Sequence, residues 1–398
     1  MAATDKDETN LEPHAQHVRP LMFAAFVCSA TMMSFVSLIG PIARLVGLSA
    51  SQIGLAMTIA GLAWLAMVRT WGRLSDAYGR RSIILAGQTG FAVSYLLLCL
   101  FIDTALAGAL SVAVALAGLA STRAMVGLFY GALPVTTAAL IADNTPPAKR
   151  ARAMATIGAA GAAGMVAGPG LAGLLAPFSL SSLLYSTAFL PFLALAWLWI
   201  TVPQSQIVAH RKASALKLSD RRLRRPLMLA FVAMFGVAVA QITIGFFALD
   251  RLHLSPAEAA RTAGMALAVV GAALVVAQVV LRSLAWPPER LIRWGGTIGG
   301  IGFVSVLQAT DPYSLWAAYA IAAFGMGWVH PSVSALAANA VGAHDQGAAA
   351  GSVAFAQGLG VILGPLIGTA VYSIDATLPY LLTGAALLLS AQWPARRN

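Results

Sequence analysis

The stretch "WGRLSDAYGRRSII", residues 71–84, sets four charges and two glycines between segments that are almost wholly apolar. The runs on either side, roughly 50–70 and 83–102, are each long enough to cross a ~30 Å hydrocarbon core as a helix. The charged stretch therefore reads as a tight turn between two membrane spans. Outward from it the same alternation continues, and the chain holds twelve such runs at about 21–43, 50–70, 83–102, 108–141, 153–176, 182–202, 227–249, 262–281, 292–309, 313–339, 347–372 and 376–393. Over its 398 residues the chain is 59% hydrophobic and only 10% charged, with a mean hydropathy of +0.80. Soluble domains run near one quarter charged. A helix satisfies its own backbone in lipid, and these runs are too long and too unalternating for barrel strands. The expected fold is an all-α polytopic membrane protein of twelve transmembrane helices.

The net charge of +11 and the pI near 10.3 raise nucleic-acid binding as a function. Placement excludes it. On one side the connections hold Lys6 and Arg19, then Arg69, Arg73, Arg80 and Arg81, then Lys149, Arg150 and Arg152. The same side continues with the basic residues of 211–225, with Arg282, Arg290 and Arg293, and with Arg396 and Arg397. The other side holds Arg44, Arg251 and Arg261. That asymmetry is the positive-inside signal and predicts a multi-pass plasma-membrane (bacterial inner-membrane) protein with both termini cytoplasmic. Residues 1–20, with Asp5, Asp7, Glu8 and Glu12, read as a polar cytoplasmic tail and lack the basic start and short apolar core of a secretory signal. Cys28 and Cys99 both lie inside apolar runs, so neither a disulfide framework nor a metal site is expected. No cofactor is expected either.

The longest polar interruption, residues 203–226, divides six spans from six. Within it "KLSDRRLRR" suits either a short amphipathic surface helix or a solvated linker. The two sides echo each other: "GMVAGPGLAG" at 164–173 matches "GVILGPLIGT" at 360–369, with Pro169 and Pro365 standing 196 residues apart. The domain reading is a tail at 1–20, a six-helix bundle at 21–202, a linker at 203–226 and a pseudo-symmetric second bundle at 227–398. Two matched bundles that rock about a midplane site are the plan of a transporter.

The match of "GRLSDAYGRR" at 72–81, through Gly72, Asp76, Gly79, Arg80 and Arg81, resembles the signature loop of the major facilitator superfamily. Three more stretches are similar to family patterns. "RAMVGLFYGA" at 123–132 resembles the fourth-span pattern, "ADNTPPAKRARAM" at 142–154 the fourth-to-fifth loop of drug–proton antiporters, and "GMVAGPGLAG" the antiporter pattern of the fifth span. In that last pattern Ala172 stands where a Gly usually precedes Gly173. The second-half counterpart of the loop, "LRSLAWPPERLIRWGG" at 281–296, keeps basic residues and has lost the Asp-x-x-Gly core, so the two halves are expected to lock unequally. The resemblance implies a secondary transporter with a small-molecule substrate and protons as partners, acting as a monomer among membrane lipids.

Each motif also has a physical reading of its own. Gly79 permits a turn with positive φ and Gly72 a close helix approach. Asp76 is placed to pair with Arg80, while Arg80 and Arg81 are expected to snorkel to headgroups. Together these groups form a latch that one conformation makes and another breaks. Gly158, Gly161, Gly164 and Gly168 form a smooth face expected to receive another helix, the eighth, and Pro169 bends the helix there. A tight, dry face of this kind resists ion leak and favours exchange.

The fourteen Asp and Glu avoid the span centres. The first span, "LMFAAFVCSATMMSFVSLIGPIARL", lacks the acid that many drug–proton antiporters carry there. Deep in the bilayer stand Arg123, for coupling or anion binding, and His330, suited to proton exchange. Asp103 and Asp250, near span ends, are the alternative proton carriers. Tyr130, Gln241, Trp328, Phe355 and Gln357 are candidate cavity contacts, and Met32 and Met33 belong to an apolar wall or face lipid. The expected function is a proton-coupled exporter of amphipathic drugs or of a metabolite such as a siderophore. The rival is import of an anionic metabolite or siderophore held by Arg123. An enzyme is disfavoured, because the connections carry no metal-spaced His/Asp/Cys cluster, Ser–His–Asp set or phosphate loop, and no filter-like loop suggests a channel.

Overall fold

The computed structural model describes residues 12–108, 110–175, 180–202, 220–284, 286–342 and 345–393. Among them twelve helices account for the spans: α1 (Glu12–Leu45), α2 (Ala50–Tyr78), α3 (Arg80–Leu106), α4 (Val112–Asn144), α5 (Pro147–Leu175) and α6 (Leu180–Thr201). They continue with α7 (Arg224–Asp250), α8 (Pro256–Ser283), α9 (Pro288–Ser305), α10 (Pro312–Asn339), α11 (Gln346–Tyr372) and α12 (Leu378–Gln392). Ten are long and apolar enough to cross a membrane. The other two are α9, polar over its first turns through Glu289, Arg290 and Arg293, and α12, which has 15 residues. The chain is a multi-pass membrane protein.

Helix α1 starts at Glu12, inside the stretch expected to be tail. The tail to residue 11 and the linker from 203 to 219 lie outside the described residues. The described end of "KLSDRRLRR" is a turn, because Asp220 accepts from the backbone of Arg222 at 2.9 Å and from its guanidinium at 2.8 Å. The Arg222 guanidinium holds the Asp220 carboxyl below its ordinary range.

The prolines inside helices explain several polar side chains between them. A proline cannot donate to the carbonyl four residues back, and in lipid that carbonyl needs another donor. Pro191 frees the carbonyl of Thr187, which accepts from Thr31 Oγ1 of α1 at 3.4 Å. Pro331 frees the carbonyl of Gly327, which accepts from Gln278 Nε2 of α8 at 2.9 Å. In α4, Pro134 has no proton for the carbonyl of Tyr130, and the helix is interrupted by a turn at Gly131.

The chain forms two compact units: Met1–Phe35, Ile59–Gly168 and Ser179–His210 in the first, and Val36–Thr58, Pro169–Phe178 and Arg211–Asn398 in the second. The boundary runs through α1, α2 and α5 because one end of each packs on helices after residue 224. In the second unit Gly40 of α1 abuts Gly245 of α7, and Gly54 of α2 meets Pro365 and Thr369 of α11. There too Gly173 of α5 meets Arg261, Gly264 and Met265 of α8.

Candidate functional site: the charged turn, the buried arginine and the glycine stripe

The charged turn is built in the first unit. Gly79 adopts φ 87°, the left-handed region that suits glycine, and separates α2 from α3. Trp71 anchors the turn by donating from Nε1 to the carbonyl of Leu128 at 2.7 Å. Arg80, the first residue of α3, then lies inward and is only 9% exposed. Its Nε donates to Asp143 at 2.9 Å, and its Nη1 to Ser75 at 3.1 Å and to Asp76. The expected Asp76–Arg80 pair is present. The expected snorkelling of Arg80 is not: two carboxylates and a hydroxyl hold the guanidinium in its fork geometry, which a lipid headgroup would have to displace. Arg81 donates to the carbonyl of Trp199 on α6 at 2.8 Å. This ion-pair cluster thus ties α2 and α3 to the end of α4 through Asp143. That residue lies in the quoted "ADNTPPAKRARAM" segment, so it was within reach as an acid on the charged side.

Arg123 is 2% exposed in α4. Its guanidinium sits 4.5 Å from the centroid of the Phe35 ring, and Nη1 is 3.7 Å from Sδ of Met32. Met32 is therefore a neighbour of the buried cation, whereas Met33 has no such contact among the described residues. No carboxylate of the described residues lies within 4 Å of Arg123, and its Nε has no hydrogen-bond partner there. Among the described residues the guanidinium contacts an aromatic face and a thioether, which stabilise less than a carboxylate would.

The glycine stripe of α5 seats on α1 rather than on the eighth helix. A Cβ at Gly164 would collide with the carbonyl of Phe26, and one at Gly168 with the carbonyl of Ala30. Gly161 lies beside Ser29, and Gly158 has nothing within 4 Å. The eighth helix meets the stripe only at its end, where a Cβ on Gly264 would stand 2.5 Å from the carbonyl oxygen of Pro169. Spacing identified the smooth face; it had no means to name the helix that fills it. The repeat holds in detail, since Gly360 and Gly364 of α11 lie against the carbonyls of Phe231 and Phe235 on α7.

The other candidates are dispersed. Tyr130 is half-buried against Phe91, with ring centroids 5.7 Å apart, and bonds Ser29. His330 is half-buried on α10 in the second unit, whereas Arg123 belongs to the first. Gln241 and Gln357 are half-buried and Phe355 is exposed. Trp328 is buried: it meets Trp286 edge-on and Phe324 at a tilt, and its Nε1 donates to the carbonyl of Ala277 at 3.0 Å. Among the described residues no group of three or more His, Cys, Asp or Glu is placed to hold a metal ion.

Among the described residues, ten helices able to cross a membrane, a Gly-Pro crossing present in two copies and a charged turn between α2 and α3 have the build of a membrane transporter. The model of the Major Facilitator Superfamily matches residues 21–365 and 262–393, and the chain belongs to that family. It is 32% identical over 322 residues to the tetracycline resistance protein, class G, of Vibrio anguillarum, covering 77% of this chain and 76% of the relative. It is 24% identical over 347 residues to multidrug resistance protein 1 of Bacillus subtilis (strain 168), covering 81% and 83%. Among solved structures, a bacterial homolog of the human lysosomal transporter Spinster superposes with a TM-score of 0.73 at 15% identity, covering 94% of each chain.

Proposed function

We propose that this transporter is a proton-coupled exporter of amphipathic drugs in the bacterial inner membrane, with both termini cytoplasmic. Bundles 21–202 and 227–398 would rock past one another. The relatives named for tetracycline and multidrug resistance support the cargo class, and the excess of Lys and Arg on the side of the charged turn supports the orientation. The observation that carries the export reading is the seating of Gly164 and Gly168 on the backbone of α1, in the pattern that resembles antiporters. That seam packs two helices of the bundle 21–202 backbone to backbone, so α1 and α5 would move together in the exchange cycle.

In this mechanism Arg80, Asp76 and Asp143 hold one conformation and must separate in the other. Arg123 supplies a fixed positive site for the electron-rich or anionic part of the cargo. It keeps its proton at any working pH and so acts by attraction. His330 and the acids at span ends are the groups that can exchange protons, while Tyr130, Gln241, Phe355 and Gln357 contribute cargo contacts. A siderophore meets the same electrostatic requirement as a drug bearing an acidic or chelating edge.

The test is transport by purified protein in liposomes with an acidic lumen, the arrangement in which a proton antiporter accumulates its cargo. Tetracycline, a quinolone, ethidium and a ferric siderophore form the panel. Accumulation of at least one, abolished by a protonophore and by Arg123→Ala, is the expected result. Accumulation only when the gradient is reversed makes the protein an importer.

A further inference from the structure

The charged turn of the first half has a second-half counterpart with different chemistry. Arg80, which opens α3, is held by two carboxylates and a hydroxyl. Helix α9 is the third helix of the second half, and its first turns carry Glu289, Arg290 and Arg293 without the Asp-x-x-Gly core. Arg290 lies over the Trp286 ring, its guanidinium carbon 4.1 Å from the centroid. Arg293 is exposed, and among the described residues it makes no ion pair within 4 Å. Glu289, one turn before it, makes none either.

A third arginine reaches this place from α7. Leu223 and Pro226 are buried on either side of Arg225, so the first turn of α7 is seated in the protein and carries the Arg225 stem inward. Arg225 is half-buried, and the charges of Glu289 and Arg293 act on it. Among the described residues no ion pair within 4 Å holds it, and its Nε is enclosed with no hydrogen-bond partner. An enclosed guanidinium proton without an acceptor is costly, so the position calls for one. The chain has little to offer. Asp220 is the one acid between residues 203 and 226, and Arg222 occupies it at 2.8 Å. From residue 203 onward the undescribed residues contain no Asp or Glu. Two guanidinium charges against the carboxylate of Glu289 leave a single positive charge, the complement of one phosphodiester.

The surroundings fix where that acceptor comes from. Trp294, beside Arg293, is 49% exposed, and Trp393, at the end of α12, is 57% exposed. Gln392 donates to Thr297 at 2.9 Å, which puts the end of α12 beside α9. Exposed tryptophans at the ends of spans mark the headgroup level of a bilayer. At that level phosphate is the abundant acceptor, and a guanidinium meets it in planar, bidentate geometry.

We propose that Arg225 and Arg293 bind the phosphodiester of an anionic phospholipid, at the membrane face where α7 and α9 begin and α12 ends. The phosphate does for these arginines what Asp76 and Asp143 do for Arg80, and it ties α7 to α9 from outside the chain. Glu289 opposes the phosphate charge and so weakens the site. The inference is independent of the cargo and of the direction of transport.

The test follows the first lipid bound by full-length protein in detergent, read by native mass spectrometry as phosphatidylglycerol is added. Phosphatidylcholine, a zwitterion, is the comparison. The parent should hold phosphatidylglycerol more tightly than phosphatidylcholine, and the bound lipid should raise its thermal midpoint. Each arginine near a headgroup contributes roughly fivefold, so Arg225→Gln with Arg293→Gln should weaken the first phosphatidylglycerol about 25-fold and remove the thermal shift. Arg293→Gln alone, at an exposed position, should cost about fivefold. Glu289→Gln should tighten binding by up to about fivefold, a gain that loss of structure does not imitate. The matched control is Arg221→Gln with Arg224→Gln, both exposed, which removes the same charge near the start of α7 and should leave the first lipid in place. A control that weakens binding as much as the Arg225 and Arg293 pair would mean a diffuse surface charge and overturn the site. Inorganic phosphate that binds the parent as tightly as phosphatidylglycerol would make the ligand a soluble anion and overturn the lipid assignment. Lipid binding that emerges only when residues 2–11 are deleted would make the acidic tail the occupant and overturn it likewise.

Discussion

Replacing Gly168 with alanine adds one methyl group where the structure has no space for it. The new Cβ would collide with the carbonyl oxygen of Ala30 and stand 2.8 Å from both its carbonyl carbon and its Cα. All three obstacles are backbone, so no rotamer change relieves the clash and α1 must move away from α5. Overpacking of this kind costs about 1–3 kcal/mol. At roughly 2–4 °C per kcal/mol for a unit of some 200 residues, the midpoint of thermal unfolding should fall by roughly 2–12 °C. Gly158→Ala is the internal control, because a Cβ there has nothing within 4 Å. The control loses only a flexible residue and gains helix propensity, worth up to ~1 kcal/mol in its favour. The assay is tryptophan-fluorescence melting of both variants in one detergent, paired with gradient-driven transport in liposomes. Equal midpoints and equal transport for the two variants would refute the claim that α1 and α5 meet backbone to backbone at Gly168.

Two further outcomes follow from the site. Asp143→Asn should slow transport without lowering abundance in the membrane, since Arg80 keeps Asp76 and Ser75 while losing its tie to α4. A double-mutant cycle with Arg80→Gln should give a coupling of about 1–2 kcal/mol in stability, and zero coupling would remove Asp143 from the latch. Arg123→Lys should bind cargo more weakly than the parent while retaining the fold, because a lysine keeps the charge and loses the guanidinium's contact with the Phe35 ring face; unaltered affinity in equilibrium binding would show that this contact does not position the cation.

Span number and the place of the charged turn were legible because lipid imposes them residue by residue, through run length and the exclusion of charge. The Gly-x-x-x-Gly-Pro repeat was legible for the same local reason, and its two copies seat on α1 and on α7. Partners were another matter. Arg80 meets Asp143, 63 positions away, and the α5 stripe meets α1 instead of α8. A face declares that something small-sided packs there, and its spacing carries no address. Trp328 packs with Phe324 and Trp286, and an aromatic residue on an apolar helix reads alike in the sequence whether it lines a cavity or fills a seam. Arg44 and Asp250 each stood out as a charge at a span end, yet nothing in a 206-residue separation announced that they touch.

The carbonyls freed by Pro191 and Pro331 bear on how the protein is made. Each is satisfied by a side chain from an earlier helix, Thr31 for the first and Gln278 for the second. The donor is thus already synthesised when the kinked helix leaves the ribosome. A bare carbonyl in hydrocarbon costs several kcal/mol, so α6 and α10 gain from entering the bilayer against a waiting neighbour. For both helices the order of translation supplies the donor before the acceptor exists.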